Sequence, residues 1–190
     1  ITLPYQALFV AIRGLHHDGH LFIPQLIQQQ VNVFLVDQKF TIPEHSTATF
    51  IQVANPLRAL QKLARNYRDF LQYPLVAITG SNGKTIVKEW LFQMLSFIGK
   101  RVSRSPRSYN SQLGVPLSLL LFQKNQDLGI VEAGISKYGE MEKLSETIHP
   151  NICVITNIGL AHDEGFDDFI HKIQEKIKLA SSAERIILSD

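Results

Sequence analysis

The segment Thr79-Gly80-Ser81-Asn82-Gly83-Lys84-Thr85 is the part of this sequence best equipped for chemistry. Its glycines let the backbone turn tightly, so that successive N–H groups point at one anion. An apolar run before it and an amphipathic run after it place the turn between a strand and a helix, whose N-terminal dipole favours negative charge. Such a turn cradles phosphate: Gly80, Ser81, Asn82 and Gly83 line it, Lys84 reaches the β- and γ-phosphates, and the Thr85 hydroxyl holds Mg²⁺. ATP binding is the expectation. The full G-x-x-x-x-G-K-T spacing is not met, because Ile78 stands at the first glycine position.

Other polar residues gather at the ends of later strands, where ligands bind in open parallel sheets. Glu132 directly follows Gly129-Ile-Val131, the place where an acidic residue completes a magnesium site; a solvated strand-end glutamate is the plainer alternative. Asn157 and His162 follow Val154-Ile-Thr156, beside the same sheet edge as Lys84, although a loop histidine is commonly just a surface residue. Lys176 lies on the margin of its helix's apolar face, from which an ammonium ordinarily extends to water. Ser108-Tyr-Asn-Ser111, ahead of Leu113-Gly-Val-Pro116, forms a polar loop running into a helix. Asn110 and Ser111 either hold a ligand's carbonyls or cap that helix. The run His16-His17-Asp18-Gly19-His20 is a possible metal site, but no cysteine or histidine pair follows it at a zinc spacing.

The elements that must position these residues alternate. Strands are expected at Leu8–Ile12, Val33–Val36 and Ala48–Val53, with a helix around 24–30. Asn55-Pro56 starts a helix, a cap residue followed by the proline that suits a first turn. Leu57, Leu60, Ala64, Tyr67 and Leu71 give that helix one buried face. Tyr73-Pro74 is a natural boundary. Beyond it, strands at Leu75–Ile78, Leu128–Val131, Ile152–Ile155 and Arg185–Leu188 alternate with helices. In the helix after the glycine loop, Val87, Trp90, Leu91, Met94, Leu95 and Ile98 form the apolar set, ended by Gly99. Further helices are expected around 116–122, 139–148 and 166–183. The fold class is therefore α/β: a small α/β domain over residues 1–74, then a P-loop ATPase domain with a mainly parallel sheet over 75–190.

Composition is that of an ordinary globular protein, 45% hydrophobic and 19% charged over 190 residues. A net charge of +2 is too balanced for a nucleic-acid or membrane patch. No apolar stretch approaches the roughly 20 residues of a membrane span, and a cytoplasmic location is expected. The single cysteine, Cys153, sits in an apolar run and is expected in the core.

Four ordered segments carry a family resemblance. Ala77-Ile-Thr-Gly-Ser-Asn-Gly-Lys-Thr85, Asn110 with Leu113-Gly-Val-Pro116, Glu132-Ala-Gly134 and Ala161-His-Asp-Glu-Gly-Phe166 resemble the ATP loop and next three landmarks of the Mur ligases of peptidoglycan synthesis. In that family a missing first loop glycine is usual. Leu8-Phe-Val-Ala-Ile-Arg-Gly14, with Asp18-Gly-His20 and Phe22, is similar to the uridine-nucleotide domain of the member that joins D-alanyl-D-alanine to UDP-N-acetylmuramoyl-tripeptide. The resemblance implies that Thr85, Glu132 and His162 hold magnesium, that Lys84 binds phosphate, and that Lys176 is carbamylated and joins the metal site. It implies catalytic roles for Lys84, His162 and Lys176, nucleotide contact by Asn157, and substrate contact by Arg13, Gly14, Asp18, Asn110 and Ser111. The implied reaction runs from a carboxylate through an acyl phosphate to an amide.

Three departures stand out. No Asp-Ser-Arg type segment precedes the first strand, and Ile135-Ser136 replaces the family's usual small residue and asparagine. The chain stops at Asp190, so a fragment of a longer protein, inactive alone, is expected; some family members continue into an alanine racemase. A folylpolyglutamate-synthase-like ligase is the rival enzyme, disfavoured by residues 1–74. A P-loop switch or kinase would have no use for Lys176 near metals, and intact Lys84, Thr85 and Glu132 argue against a non-catalytic module.

Overall fold

A computed structural model describes residues 7–159 and 169–188. Its short apolar runs become parallel strands, as expected where helices cover a sheet. Two compact units form, residues 1–60 and 61–190, and the division falls within one helix. Near Pro74, where composition changes, that helix has just ended.

In the first unit, β1 (Leu8–Val10), β2 (Val33–Asp37) and β3 (Thr49–Val53) pair in parallel in that order. A single turn of 3-10 helix (Gly19–Phe22) leads into α1 (Ile23–Gln28), with Pro24 in its first turn. Ala11, Ile23, Val31, Phe34 and Val36 form the core, and Phe34 stacks on Phe50 with ring centroids 5.3 Å apart. The helix α2 (Pro56–Leu71) follows, its start capped by Asn55, whose Oδ1 accepts from the Arg58 amide at 3.1 Å.

The second unit is a five-stranded parallel sheet in the order β5-β6-β4-β7-β8, formed by β4 (Leu75–Thr79), β5 (Val102–Arg104), β6 (Leu128–Glu132), β7 (Ile152–Ile155) and β8 (Arg185–Leu188). All five residues of β4 are buried, because both sheet faces are covered. Leu75 and Ala77 face a core built with α4 (Gly114–Leu120) and α5 (Glu140–Ile148), through Val115, Leu119, Met141 and Leu144. Val76 and Ile78 face α3 (Lys84–Phe97), through Val87, Leu91 and Leu95. Each large side chain buried in this way contributes about 1.5–3 kcal/mol. Between β7 and β8 lie α6 (Phe169–Ile177) and a 3-10 segment (Lys178–Ser182).

Two expectations are corrected. β5 is absent from the sequence reading, since Val-Ser-Arg carries one apolar residue and is a strand only through pairing with β6. Trp90 and Met94 in α3, and Ile98 just past its end, are exposed rather than part of the buried face. The helix carries two apolar stripes, and only the one through Val87, Leu91 and Leu95 meets the sheet. Cys153 lies in the core, where burial pushes its thiol up to about 11.

Candidate functional site

Beyond the C-terminal end of β4 the chain has neighbours on both sides: Glu132 ends β6, and Thr156-Asn157 follows β7. The loop between β4 and α3 is shaped by that confinement. Gly80 has φ 144°, and a Cβ there would lie 2.1 Å from Thr156 Oγ1 and 2.9 Å from the Asn157 carbonyl. Gly83, at φ 80°, takes the left-handed conformation that starts α3. The Ser81 amide donates to the Asn157 carbonyl at 2.8 Å, and the Asn82 amide to Asn157 Oδ1 at 2.9 Å. The Thr156 hydroxyl donates to the Asn82 carbonyl at 2.6 Å. Asn157 therefore braces the loop directly.

Lys84 folds back across this loop, donating to the carbonyls of Gly80 at 2.8 Å and Ser81 at 3.2 Å. Burial lowers its pKa, opposed in part by the Glu132 carboxylate. Thr85 donates through Oγ1 to Glu132 Oε2 at 3.1 Å. The other oxygen, Glu132 Oε1, is 2.8 Å from Lys88 Nζ. That contact is close but off the line of a hydrogen bond, leaving Oε1 buried without an aligned donor. Glu132 and Lys88 are both completely buried. A hydroxyl and a buried carboxylate thus converge beside a phosphate-type loop. This donor set suits Mg²⁺, which takes hard oxygens, needs only one or two carboxylates and draws the remainder from phosphates and water.

Lys176 reaches the same loop from α6, with Nζ donating to the Gly80 carbonyl at 3.3 Å. It is 5% exposed, so the water-facing alternative is not what the structure shows. Burial, then the like charges of Lys84 and Lys172, lower its pKa to about 8. Lys172, one turn earlier on α6, is also buried and donates to the Gly159 carbonyl at 2.8 Å. His162 lies outside the described residues.

Asn110 approaches the segment after β6. Its carbonyl accepts from the Gly134 amide at 2.8 Å, and a Cβ on Gly134 would sit 3.1 Å from the Asn110 side chain. Ser111 Oγ accepts from the amide of Gly114, the first residue of α4, at 3.1 Å.

The first unit has its own polar cluster. Arg13 pairs with Asp18 (Nη1 to Oδ2, 2.5 Å) and Asp37 (Nε to Oδ2, 3.1 Å). Gly14 closes the intervening turn, its amide donating to the His17 carbonyl at 2.8 Å. His20 Nε2 accepts from the Asp37 amide at 3.2 Å, so Nδ1 carries the proton and donates to Asp18 Oδ1 at 2.6 Å. Hydrogen bonds from the His20 backbone and ring hold the Asp18 carboxyl below its ordinary range. The histidine run is therefore no metal site: His20 is committed to this network, and His16 and His17 are exposed. Arg13 and Asp37 also line a cleft of about 330 Å³ with Asn55 and Leu57.

Asp37, Lys88 and Lys172 are missing from the sequence reading. Asp37 ends a strand as Glu132 does, a signal open to the same argument. Lys88 follows Thr85 by three positions, which places the two on one helix face. Spacing gave no sign that either lysine is buried.

The profile described as "Mur ligase middle domain" matches residues 78–188, and "Mur ligase family, catalytic domain" matches residues 2–68. The UDP-N-acetylmuramoyl-tripeptide--D-alanyl-D-alanine ligase of Treponema pallidum is 37% identical over 163 residues, covering 82% of this chain and 35% of that protein. The crystal structure of MurF from Acinetobacter baumannii superposes with a TM-score of 0.88 at 27% identity, covering 97% of this chain and 41% of that one. MurF ligase from Thermotoga maritima, solved in complex with ADP, gives 0.83 at 27% identity, covering 94% and 41%. The chain spans about 35% of the length of the curated relatives it matches.

Proposed function

Because this chain belongs to the Mur ligase family, we propose that it supplies the uridine-nucleotide and phosphate-binding parts of an ATP-dependent ligase that joins D-alanyl-D-alanine to UDP-N-acetylmuramoyl-tripeptide. The observation that carries the reading is the convergence of Lys84, Thr85, Glu132 and Lys176 around the Gly80–Thr85 loop. The name of the Treponema relative and the ADP bound by the Thermotoga ligase support it.

In this reading the amides of Gly80 to Thr85 and the α3 N-terminus hold the ATP phosphates. Lys84 exchanges its loop carbonyls for phosphate oxygens. The tripeptide carboxylate attacks the γ-phosphorus, forming an acyl phosphate and releasing ADP. The D-alanyl-D-alanine amine then attacks the carbonyl carbon, loses a proton, and expels phosphate to leave an amide. These residues act through positioning and charge, stabilising the negative oxygens of the transferring group. Thr85 and Glu132 are the residues that would hold magnesium, with His162 and a carbamylated Lys176; the ion would supply positive charge at the phosphate oxygens. Carbamate formation needs a neutral amine, and the depressed pKa of Lys176 favours one. Arg13, Gly14 and Asp18 belong to the uridine-nucleotide side, and Asn110 and Ser111 to the loop facing the tripeptide. Residues 1–74 and 75–190 are the corresponding functional divisions, and the cytoplasm, where ATP is available, is the compartment.

The test is full-length protein incubated with ATP, magnesium and both substrates. Phosphate release that requires both, matched by a pentapeptide product in the mass spectrum, is expected, and Lys84→Ala should abolish it. Hydrolysis or transfer independent of D-alanyl-D-alanine would refute the assignment.

A further inference from the structure

A completely buried lysine that the proposed chemistry does not use stands behind the site. Lys88 Nζ donates to the Ser105 carbonyl at 3.0 Å and to the Arg107 carbonyl, and lies 2.8 Å from Glu132 Oε1. Nζ thus donates to two carbonyls and stands in ion-pair contact with one carboxylate oxygen, with Glu89 Oε1 also near at 3.2 Å. Three and four positions earlier on α3 stand Thr85 and Lys84, so one helix face carries the loop's cation, its hydroxyl and this second ammonium. The two oxygens of Glu132 are consequently sorted by α3 alone: Oε1 turns to Lys88, and Oε2 to Thr85.

We propose that Lys88 is a positioning residue: it fixes the rotation of the Glu132 carboxylate so that Oε2 stays beside Thr85, and ties that carboxylate to the segment 105–107 leading to Asn110 and Ser111. The inference rests on the reading of Glu132 and Thr85 as magnesium-holding residues. A buried carboxylate without a counter-charge on one oxygen is free to turn toward other donors, and once turned it no longer presents Oε2 beside Thr85. The Ser105 hydroxyl supports the same arrangement, accepting from the Glu132 amide at 3.3 Å while the Ser105 carbonyl receives Lys88. The partners of Lys88 are the Ser105 and Arg107 carbonyls, Glu89 and Glu132, none of them in the phosphate loop, so its influence on the site passes through Glu132.

The experiment measures binding of a fluorescent ADP analogue to the full-length protein, in magnesium and in EDTA, for wild type, Lys88→Met, Glu132→Gln and the double variant. Lys88→Met should reduce the magnesium-dependent gain in affinity by about tenfold or more, the usual effect of losing a partner behind a metal ligand. Affinity in EDTA should stay within about twofold of wild type, which separates positioning from general damage to the fold. In the Glu132→Gln background Lys88→Met should change the magnesium effect no further. Should Lys88→Met alone fail to fold, the double variant, with no unpaired buried charge, should regain a cooperative melt. A double variant no more stable than Lys88→Met would overturn the proposal, since Lys88 would then serve the carbonyls alone. Full retention of the magnesium effect in Lys88→Met, with its loss in Glu132→Gln, would overturn the proposal but leave the metal reading standing. Retention in Glu132→Gln would overturn both.

Discussion

Replacing Gly80 by alanine tests whether the phosphate loop is held by its neighbours or by its own sequence. Two costs combine. The backbone at φ 144° is one that a side chain rarely adopts, and holding a non-glycine residue in such a region costs about 1–3 kcal/mol. The new methyl would also meet Thr156 Oγ1 at 2.1 Å and the Asn157 carbonyl and amide nitrogen at 2.9 and 3.1 Å. Overpacking of this kind costs about 1–3 kcal/mol more. The expected loss is therefore about 4 kcal/mol, a large share of a typical domain's stability. Thr156→Ala removes the worst contact and one hydrogen bond to the loop, so alone it should cost about 1 kcal/mol. The double variant should then be less damaged than the sum of the two, by about 1 kcal/mol or more, because one clash is relieved while the backbone strain and the Asn157 contacts persist. Urea unfolding followed by far-UV circular dichroism gives all three values. Additive losses, or a Gly80→Ala cost below about 0.5 kcal/mol, would refute the claim that Thr156 and Asn157 confine the loop.

Lys176 has a folded pKa of about 8, below its ordinary value of 10.5. The unfolded chain therefore binds the extra proton between those values, and stability should rise as pH climbs from about 8 toward 10.5; Lys176→Met should flatten that rise in pH-dependent unfolding. In ¹³C-bicarbonate the full-length protein should show a carbamate resonance that Lys176→Met lacks, and an unchanged spectrum would remove the proposed modification. Cys153, its thiol pushed up to about 11 in the core, should resist iodoacetamide at pH 8 in folded protein and react once urea unfolds it; rapid native labelling would contradict the burial. Arg13→Ala should weaken binding of UDP-N-acetylmuramoyl-tripeptide, measured calorimetrically, by about tenfold, while ATP affinity holds. Equal loss of both would show damage to the fold instead.

Local rules made much of this protein legible before any coordinates. The turn at Gly80–Thr85 needs the positive φ that glycine allows, a local demand, so its strand, loop and helix could be read directly, as could the alternation that sets β4, β6, β7 and β8 in a parallel sheet; that Thr156 and Asn157 also leave no room for a Cβ at Gly80 depends on the fold. The apolar face of α2 and the burial of Cys153 followed from periodicity and from an apolar run. Tertiary structure decided what depends on the far end of a side chain or on a neighbour distant in sequence. Periodicity showed that α3 is amphipathic but could not say which of its two stripes meets the sheet, and β5 became a strand only by pairing with β6. Lys176 on a helix margin is compatible with water or with burial, and only the packing of α6 against the Gly80 loop directs its ammonium inward. Lys88 is the sharpest case. Its sequence neighbours suggest an ordinary helical lysine, whereas the acceptors that bury it come from the segment after β5 and the end of β6, brought together by the order of strands in the sheet.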